Sequence, residues 1–105
     1  MAAANSKPIL LELGGKAPAI VCADADIDLA ANHCMLGAFM NAGQICMSTE
    51  RILVHKSIRD CFEAKLKEAV QLFFPSASDI PTLISAAAVA RNKALVKDAL
   101  SKGAT

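Results

Sequence analysis

The sequence predicts an α/β fold of one small domain. Short apolar runs of strand length alternate with longer runs of helical period, and Gly, Pro or capping residues separate them. The 105 residues suffice for one core and are too few for two. The predicted order is β-β-α-β-α-loop-α, with strands that are at least partly parallel.

Three apolar runs predict strands, at residues 9–13, 19–22 and 51–55. The first begins after Pro8, contains one acid, Glu12, and ends at Gly14-Gly15. Its continuous apolar character favours a buried strand, although periodicity alone does not exclude a helix.

Three helices are predicted, over residues 27–40, 58–73 and 86–102. Their expected N-caps are Asp26, Ser57 and Ser85, and Gly43 and Gly103 are placed to end the first and third. The first helix is apolar over most of its circumference and should be buried on several sides. The second is amphipathic, with an apolar face of Ile58, Cys61, Phe62, Leu66, Ala69, Val70 and Phe73.

Composition excludes several classes of function. A net charge of +1 favours neither nucleic acid nor a membrane surface as partner. The apolar runs are far below the ~20 residues of a membrane span, and the first seven residues lack signal-peptide character, so a cytoplasmic location is expected. The four cysteines form no C-x-x-C pair, so we expect no metal site. We expect free thiols instead. The 54% hydrophobic content indicates surfaces that another segment or chain covers.

Cys46 is the candidate nucleophile. It follows Gly43 and Gln44, just beyond the first helix, where a turn can direct the thiol into a cleft. A helix C-terminus does not lower a thiol pKa, so activation would come from a base, a cofactor charge or backbone N–H donors, with the Cys46 N–H as one oxyanion donor. The alternative, that Cys46 is a small buried hydrophobe, is the commoner fate of a lone cysteine.

Glu12 is the candidate general base. A carboxylate inside an apolar strand would be desolvated, which raises its pKa towards that of a useful base. The alternatives are that Glu12 faces solvent at a strand edge, or that it pairs with Lys16 or with an arginine outside the chain; spacing leaves these open.

Other chemically active residues favour structural roles. His33 and Cys34 are adjacent on a helix and point to different faces, so they make a poor ligand pair. His55 ends a strand and should be a surface or hydrogen-bonded histidine, while Cys61 should be core. Gly14-Gly15 does not form the G-x-G-x-x-G dinucleotide fingerprint.

Two motifs together resemble the aldehyde dehydrogenase superfamily. Residues 12–16 (ELGGK) resemble its glutamate motif, and residues 43–46 (GQIC) resemble its cysteine motif, in the family's order. Residues 44–51 are similar to the branch that acts on aromatic aldehydes such as salicylaldehyde or vanillin. The likeness extends over nearly the whole chain, down to residue 104.

The resemblance implies a mechanism and a set of roles. Cys46 would add to an aldehyde, hydride would pass to NAD or NADP, and Glu12 would activate the water that releases the acid. Leu13 would contact the nicotinamide through its backbone. The fold implied is a piece of the three-layer α/β enzyme, with 1–13 as the tail of the cofactor-binding domain and 14–105 as the first part of the catalytic domain. The complete enzyme would be a homo-oligomer.

Some family features are absent from the 105 residues. These are the asparagine of the oxyanion hole, the glycine-containing cofactor loop, the glutamate that holds the ribose and the oligomerisation segment; residues 81–85 also lack the glycine of a family Gly-Pro-Leu segment. We therefore expect a partial enzyme that is inactive by itself. The alternative is a truncated paralogue that acts as a non-enzymatic interaction module.

Overall fold

The computed structural model describes residues 3–79 and 81–104. Its strands are β1 (Ala17–Val21) and β2 (Thr49–Val54), and its helices are α1 (Ile27–Phe39), α2 (Arg59–Phe73) and α3 (Ala86–Ser101). Single 3₁₀ turns occupy Ala3–Asn5 and Ala77–Asp79, and Met40–Gly43 is a turn in which Asn41 and Ala42 have non-helical backbone angles. The predicted alternation of strands and helices, and with it the α/β class, is confirmed.

β1 and β2 form a parallel pair, with α1 as the connection between them. The register places Ala19 opposite Ile52 and Val21 opposite Val54. A parallel pair requires a crossover of this kind, and the helix covers one face of the sheet. The buried core is small and aliphatic apart from one ring: Val21, Ala31, Cys34 and Phe62.

Caps explain where two helices begin. The Asp26 carboxylate accepts a hydrogen bond from the Leu29 N–H at 3.0 Å, and the Ser85 hydroxyl accepts one from the Ala88 N–H at 3.2 Å. Both satisfy an amide that the first turn leaves without a helical partner. Gly103, with φ of +87°, ends α3 as predicted.

The strand predicted over 9–13 is not present. Residues 7–16 form irregular backbone, and Leu10 and Leu13 are 87% and 85% exposed. A strand needs a neighbour to receive its backbone hydrogen bonds, and within residues 3–79 and 81–104 the sheet contains β1 and β2 alone. The apolar pattern was therefore insufficient to predict a strand here.

Helix boundaries and faces require further corrections. α1 ends at Phe39, four residues before Gly43, and its buried residues Ala31, Cys34 and Met35 lie on one side. Ser57 does not cap α2, because its hydroxyl bonds the His55 ring at 2.8 Å while the helix starts without a side-chain cap.

Two cysteines predicted on apolar faces are exposed. On α2 the buried stripe runs through Phe62 and Ala69, which leaves Cys61 beside it in solvent. Cys22 is exposed because β1 ends one residue earlier, at Val21.

α3 lies apart from the core. Every described side chain on it is exposed except that of Ala88, which is half-buried. Leu95, Val96 and Leu100 are each about 60% exposed.

Within the described ranges, no helix is both long enough and apolar enough to cross a membrane. The same ranges contain no group of three or more His, Cys, Asp or Glu side chains placed to hold a metal ion.

Candidate active site

A left-handed turn leads from α1 to the cysteine motif. Asn41, Ala42 and Gly43 have φ of +53°, +57° and +70°. Glycine adopts this conformation freely, and asparagine tolerates it, but an alanine there costs about 1–2 kcal/mol. The turn reverses the chain within four residues and carries it from the end of α1 towards β2.

Cys46 lies in the next turn, directly before β2. The Ser48 N–H donates to the Ile45 carbonyl at 3.0 Å, which closes a turn around Cys46 and Met47. The Cys46 side chain is exposed and unpaired, so its sulfur is accessible to an electrophile. The alternative that Cys46 is a small buried hydrophobe does not apply to this structure, and its role as nucleophile stays a prediction.

Gly15 of the ELGGK motif closely approaches the main chain of Cys46. A Cβ atom at Gly15 would lie 2.2 Å from the Cys46 carbonyl oxygen, closer than any side chain permits. Gly15 is therefore required at this approach, whereas Gly14 has nothing within 4 Å of the equivalent position. The contact brings together two motifs that lie about thirty residues apart.

Polar contacts hold the same two segments side by side. Lys16 forms an ion pair with Glu50, and the Arg51 guanidinium donates to the Lys16 carbonyl at 3.5 Å. The ion pair is exposed, so these contacts serve to fix the approach of the segments more than to add stability. The suggested Glu12–Lys16 pair is not formed among the described residues.

Glu12 is exposed, and within residues 3–79 and 81–104 it forms no hydrogen bond or ion pair. The apolar surroundings that the desolvation argument required are not provided by the described residues, because 9–13 is not a buried strand. Of the readings left open, the solvent-facing one applies to this structure. Glu12 is three residues from Gly15, so its backbone lies within about 10 Å of the Gly15–Cys46 contact.

Leu13 and Gly14, which precede Gly15, lie at the surface. Leu13 is 85% exposed and the space at Gly14 is empty of protein atoms. Leu13, the predicted cofactor contact, thus lies at the surface of the described part of the chain.

An apolar cavity of about 200 Å³ adjoins the cysteine turn. The two neighbours of Cys46, Ile45 and Met47, both line it, together with Leu36, Gly37, Met40 and Ser48. The Ser48 hydroxyl is buried and has no hydrogen-bond partner among the described residues.

Cys34 contrasts with Cys46. It is buried in the core under α2, and burial raises the pKa of its thiol. Its neighbour His33 is exposed, as predicted for adjacent helical residues, and His55 is exposed and bonded to Ser57. Neither histidine lies in the cysteine turn.

Gln44 is a site residue that sequence reasoning missed. Its side chain bonds Asn41 within the turn and also residues 82 and 84, about forty positions away. The Gly-Gln-x-Cys spacing drew attention to Gly43 and Cys46, and a glutamine beside a turn carries no signal for a long-range contact.

Comparison with known proteins identifies the family. The aldehyde dehydrogenase family model matches residues 1–105. Vanillin dehydrogenase of Pseudomonas fluorescens is 44% identical over 109 residues, and salicylaldehyde dehydrogenase of Pseudomonas sp. strain C18 is 45% identical over 111. These alignments cover 99% and 98% of the chain and 23% of each relative, so the chain spans less than a quarter of their length.

A solved structure of a related enzyme agrees with this family assignment. The NAD-dependent benzaldehyde dehydrogenase of Corynebacterium glutamicum superposes with a TM-score of 0.80 at 42% identity, over 94% of this chain and 22% of that one. Fold, motif order and sequence identity lead to one conclusion: the chain belongs to the aldehyde dehydrogenase family.

Proposed function

We propose that this chain carries the nucleophile and the general base of an NAD(P)-dependent enzyme that oxidises aldehydes to carboxylic acids. The observation that supports this most is the approach of Gly15 to the Cys46 carbonyl, where an added Cβ would lie at 2.2 Å. It joins the segment that contains Glu12 to the turn that contains Cys46.

Cys46 acts first. Its thiolate adds to the aldehyde carbon, so a C–S bond forms and the carbonyl oxygen gains negative charge. Within residues 3–79 and 81–104 the Cys46 backbone N–H has no hydrogen-bond acceptor, so it is available to donate to that oxygen.

A nicotinamide cofactor, when bound, supplies the hydride acceptor for this adduct. Leu13 would meet it through backbone atoms, and loss of hydride leaves a thioester on Cys46. NAD and NADP are both compatible with the described residues.

Glu12 acts last. It takes a proton from the water that attacks the thioester, the C–S bond breaks, and the carboxylic acid leaves while Cys46 returns to the thiolate.

Substrate, location and domain arrangement belong to the same proposal. An aromatic aldehyde matches the named substrates of the vanillin, salicylaldehyde and benzaldehyde relatives. The apolar cavity lined by Ile45 and Met47, the two neighbours of Cys46, suits an aromatic ring. Four unpaired cysteines suit a reducing cytoplasm. Residues 1–13 would belong to the cofactor-binding domain and 14–105 to the catalytic domain of a homo-oligomer, and the 105 residues alone would not turn over aldehyde.

The test compares two exposed cysteines in the intact protein. Cys46→Ser should abolish oxidation of vanillin, salicylaldehyde and benzaldehyde with NAD⁺ or NADP⁺, by at least ~10³-fold, since serine is a far weaker nucleophile at neutral pH. Cys61→Ser, at an equally exposed thiol on α2, should leave turnover unchanged.

Retention of activity in Cys46→Ser would overturn the assignment. An intact wild-type protein that oxidises none of these aldehydes, yet binds a full-length relative, would favour the interaction-module alternative instead.

A further inference from the structure

The left-handed turn before Cys46 needs an external support. Three consecutive residues with positive φ, one of them Ala42, form a conformation that the chain does not adopt by default. Such a turn persists only where surrounding contacts determine it.

Gln44 provides contacts inside the turn. Its Nε2 donates to the Asn41 carbonyl at 3.0 Å and its backbone N–H donates to the same oxygen at 3.2 Å. The Asn41 side-chain amide returns a longer bond to the Gln44 carbonyl at 3.4 Å. The two residues thus close the turn from both ends.

The same side chain reaches a distant segment. The Gln44 Oε1 accepts from the Ile84 N–H at 2.8 Å, and its Nε2 also lies 3.4 Å from the Thr82 carbonyl. One amide therefore pairs with backbone on residues 82–84 in the way that a strand residue would. This segment directly precedes the Ser85 cap of α3.

Cys46 lies two residues beyond this junction. Its carbonyl meets Gly15, so its main chain is held by Gly15 on one side and by the Gln44 junction on the other. A change in the direction of the chain at Gln44 would turn the Cys46 N–H and thiol together.

We propose that Gln44 is a positioning residue, whose amide fixes the left-handed turn to residues 82–84 and thereby orients the Cys46 thiol and N–H. The inference rests on the proposed function for its effect on turnover, and on geometry alone for the contact itself. Gln44 acts through Cys46 and need not touch substrate.

The test uses the intact protein and three variants. Gln44→Met removes every polar contact at similar length, and Gln44→Glu retains an acceptor for the Ile84 N–H. Gln71→Met is the matched control, because Gln71 is an exposed glutamine on α2. Amide hydrogen exchange measures whether the contact between Gln44 and residues 82–84 is present. Steady-state kinetics with vanillin measure its effect on turnover.

Gln44→Met should raise exchange at Ile84 and across residues 41–48 by about tenfold or more, Gln44→Glu should retain part of the Ile84 protection, and Gln71→Met should change neither. In Gln44→Met, kcat should fall by about 10²-fold while KM for the aldehyde changes little, because misorientation of the nucleophile affects the chemical step.

Two results would overturn the inference: unchanged Ile84 exchange in Gln44→Met, or raised exchange with unchanged kcat. If the wild-type protein oxidises no aldehyde, the proposed function fails by itself. The positioning role is then decided by the exchange data and by the alkylation rate of Cys46 relative to Cys61, which Gln44→Met should change at least threefold and Gln44→Glu less.

Discussion

Gly15 is the residue whose replacement should most directly disturb the position of Cys46. Alanine would place its Cβ 2.2 Å from the Cys46 carbonyl oxygen, so one of the two segments must move. A displacement of about 1 Å at a nucleophile can cost 10²-fold in rate, and we expect that loss in kcat for Gly15→Ala. Steady-state kinetics of the intact protein measure it.

Gly14→Ala is the control for this prediction. Gly14 has open space around the same position, so the substitution should change stability by less than about 0.5 kcal/mol and leave kcat close to that of the wild type. Equal losses in the two variants would mean that the contact with Cys46 is not what requires glycine.

The burial of Cys34 should make the stability of the protein depend on pH. Burial raises the pKa of its thiol in the folded protein above the value of about 8.5 in an unfolded chain. The unfolded state therefore loses its proton first, so the stabilisation is complete below about pH 8.5 and is lost as pH rises through the folded-state pKa.

Thermal unfolding between pH 7 and 10 measures this effect. The Tm of Cys34→Ala should fall less steeply above pH 8.5 than that of the wild type, while Cys61→Ala, at an exposed thiol, should follow the wild type. Parallel curves for all three proteins would exclude a contribution from Cys34.

At the scale of single residues, the sequence predicted the local position of the Cys46 thiol better than the surroundings of the Glu12 carboxylate. The position of Cys46 depends on a local turn with Gly43, which short-range pattern reveals. Whether Glu12 is buried depends on what covers residues 9–13. Gln44 bonds a segment forty residues away. Neither contact can be predicted from the few residues on either side of Glu12 or Gln44.

At the scale of elements, the packing of α1 on β2 depends on Gly37. A Cβ there would lie 2.6 Å from the Thr49 hydroxyl oxygen and 3.5 Å from the Thr49 Cβ. Glycine inside a helix normally costs about 0.5–1 kcal/mol relative to alanine, so the close approach to β2 is what favours it here.

A double-mutant cycle tests this contact. Gly37→Ala should be neutral or destabilising alone, but in a Thr49→Ala background it should stabilise the protein by about 0.5–1 kcal/mol, because the hydroxyl is gone and the helix propensity remains. Denaturant unfolding gives the four free energies. Additive effects would show that Gly37 and Thr49 do not interact.

Helices were predicted more accurately than strands for a physical reason. The caps at Asp26 and Ser85 act within three residues, so they mark α1 and α3 from sequence. A strand requires a partner. β2 has one in β1, whereas the apolar run 9–13 has none among the described residues and does not form a strand. Ser57 satisfied the cap pattern but bonds His55 instead.

Across the whole molecule, apolar surface stays uncovered. Leu10, Leu13, Ile20 and Ile84 are more than 70% exposed. Large apolar side chains exposed on several segments indicate surfaces that other protein segments cover. The chain also spans less than a quarter of the length of the vanillin and salicylaldehyde dehydrogenase relatives.

The most direct test of the central claim is the mass of the protein during turnover. In the intact protein, Glu12→Gln should hydrolyse the thioester ~10²–10⁴-fold more slowly, because the general base is lost while Cys46 remains. Mass spectrometry after mixing this variant with vanillin and NAD⁺ or NADP⁺ should then show one acyl group, on the peptide that contains Cys46. An acyl group on another residue, or unchanged turnover without any acyl-protein, would contradict the account.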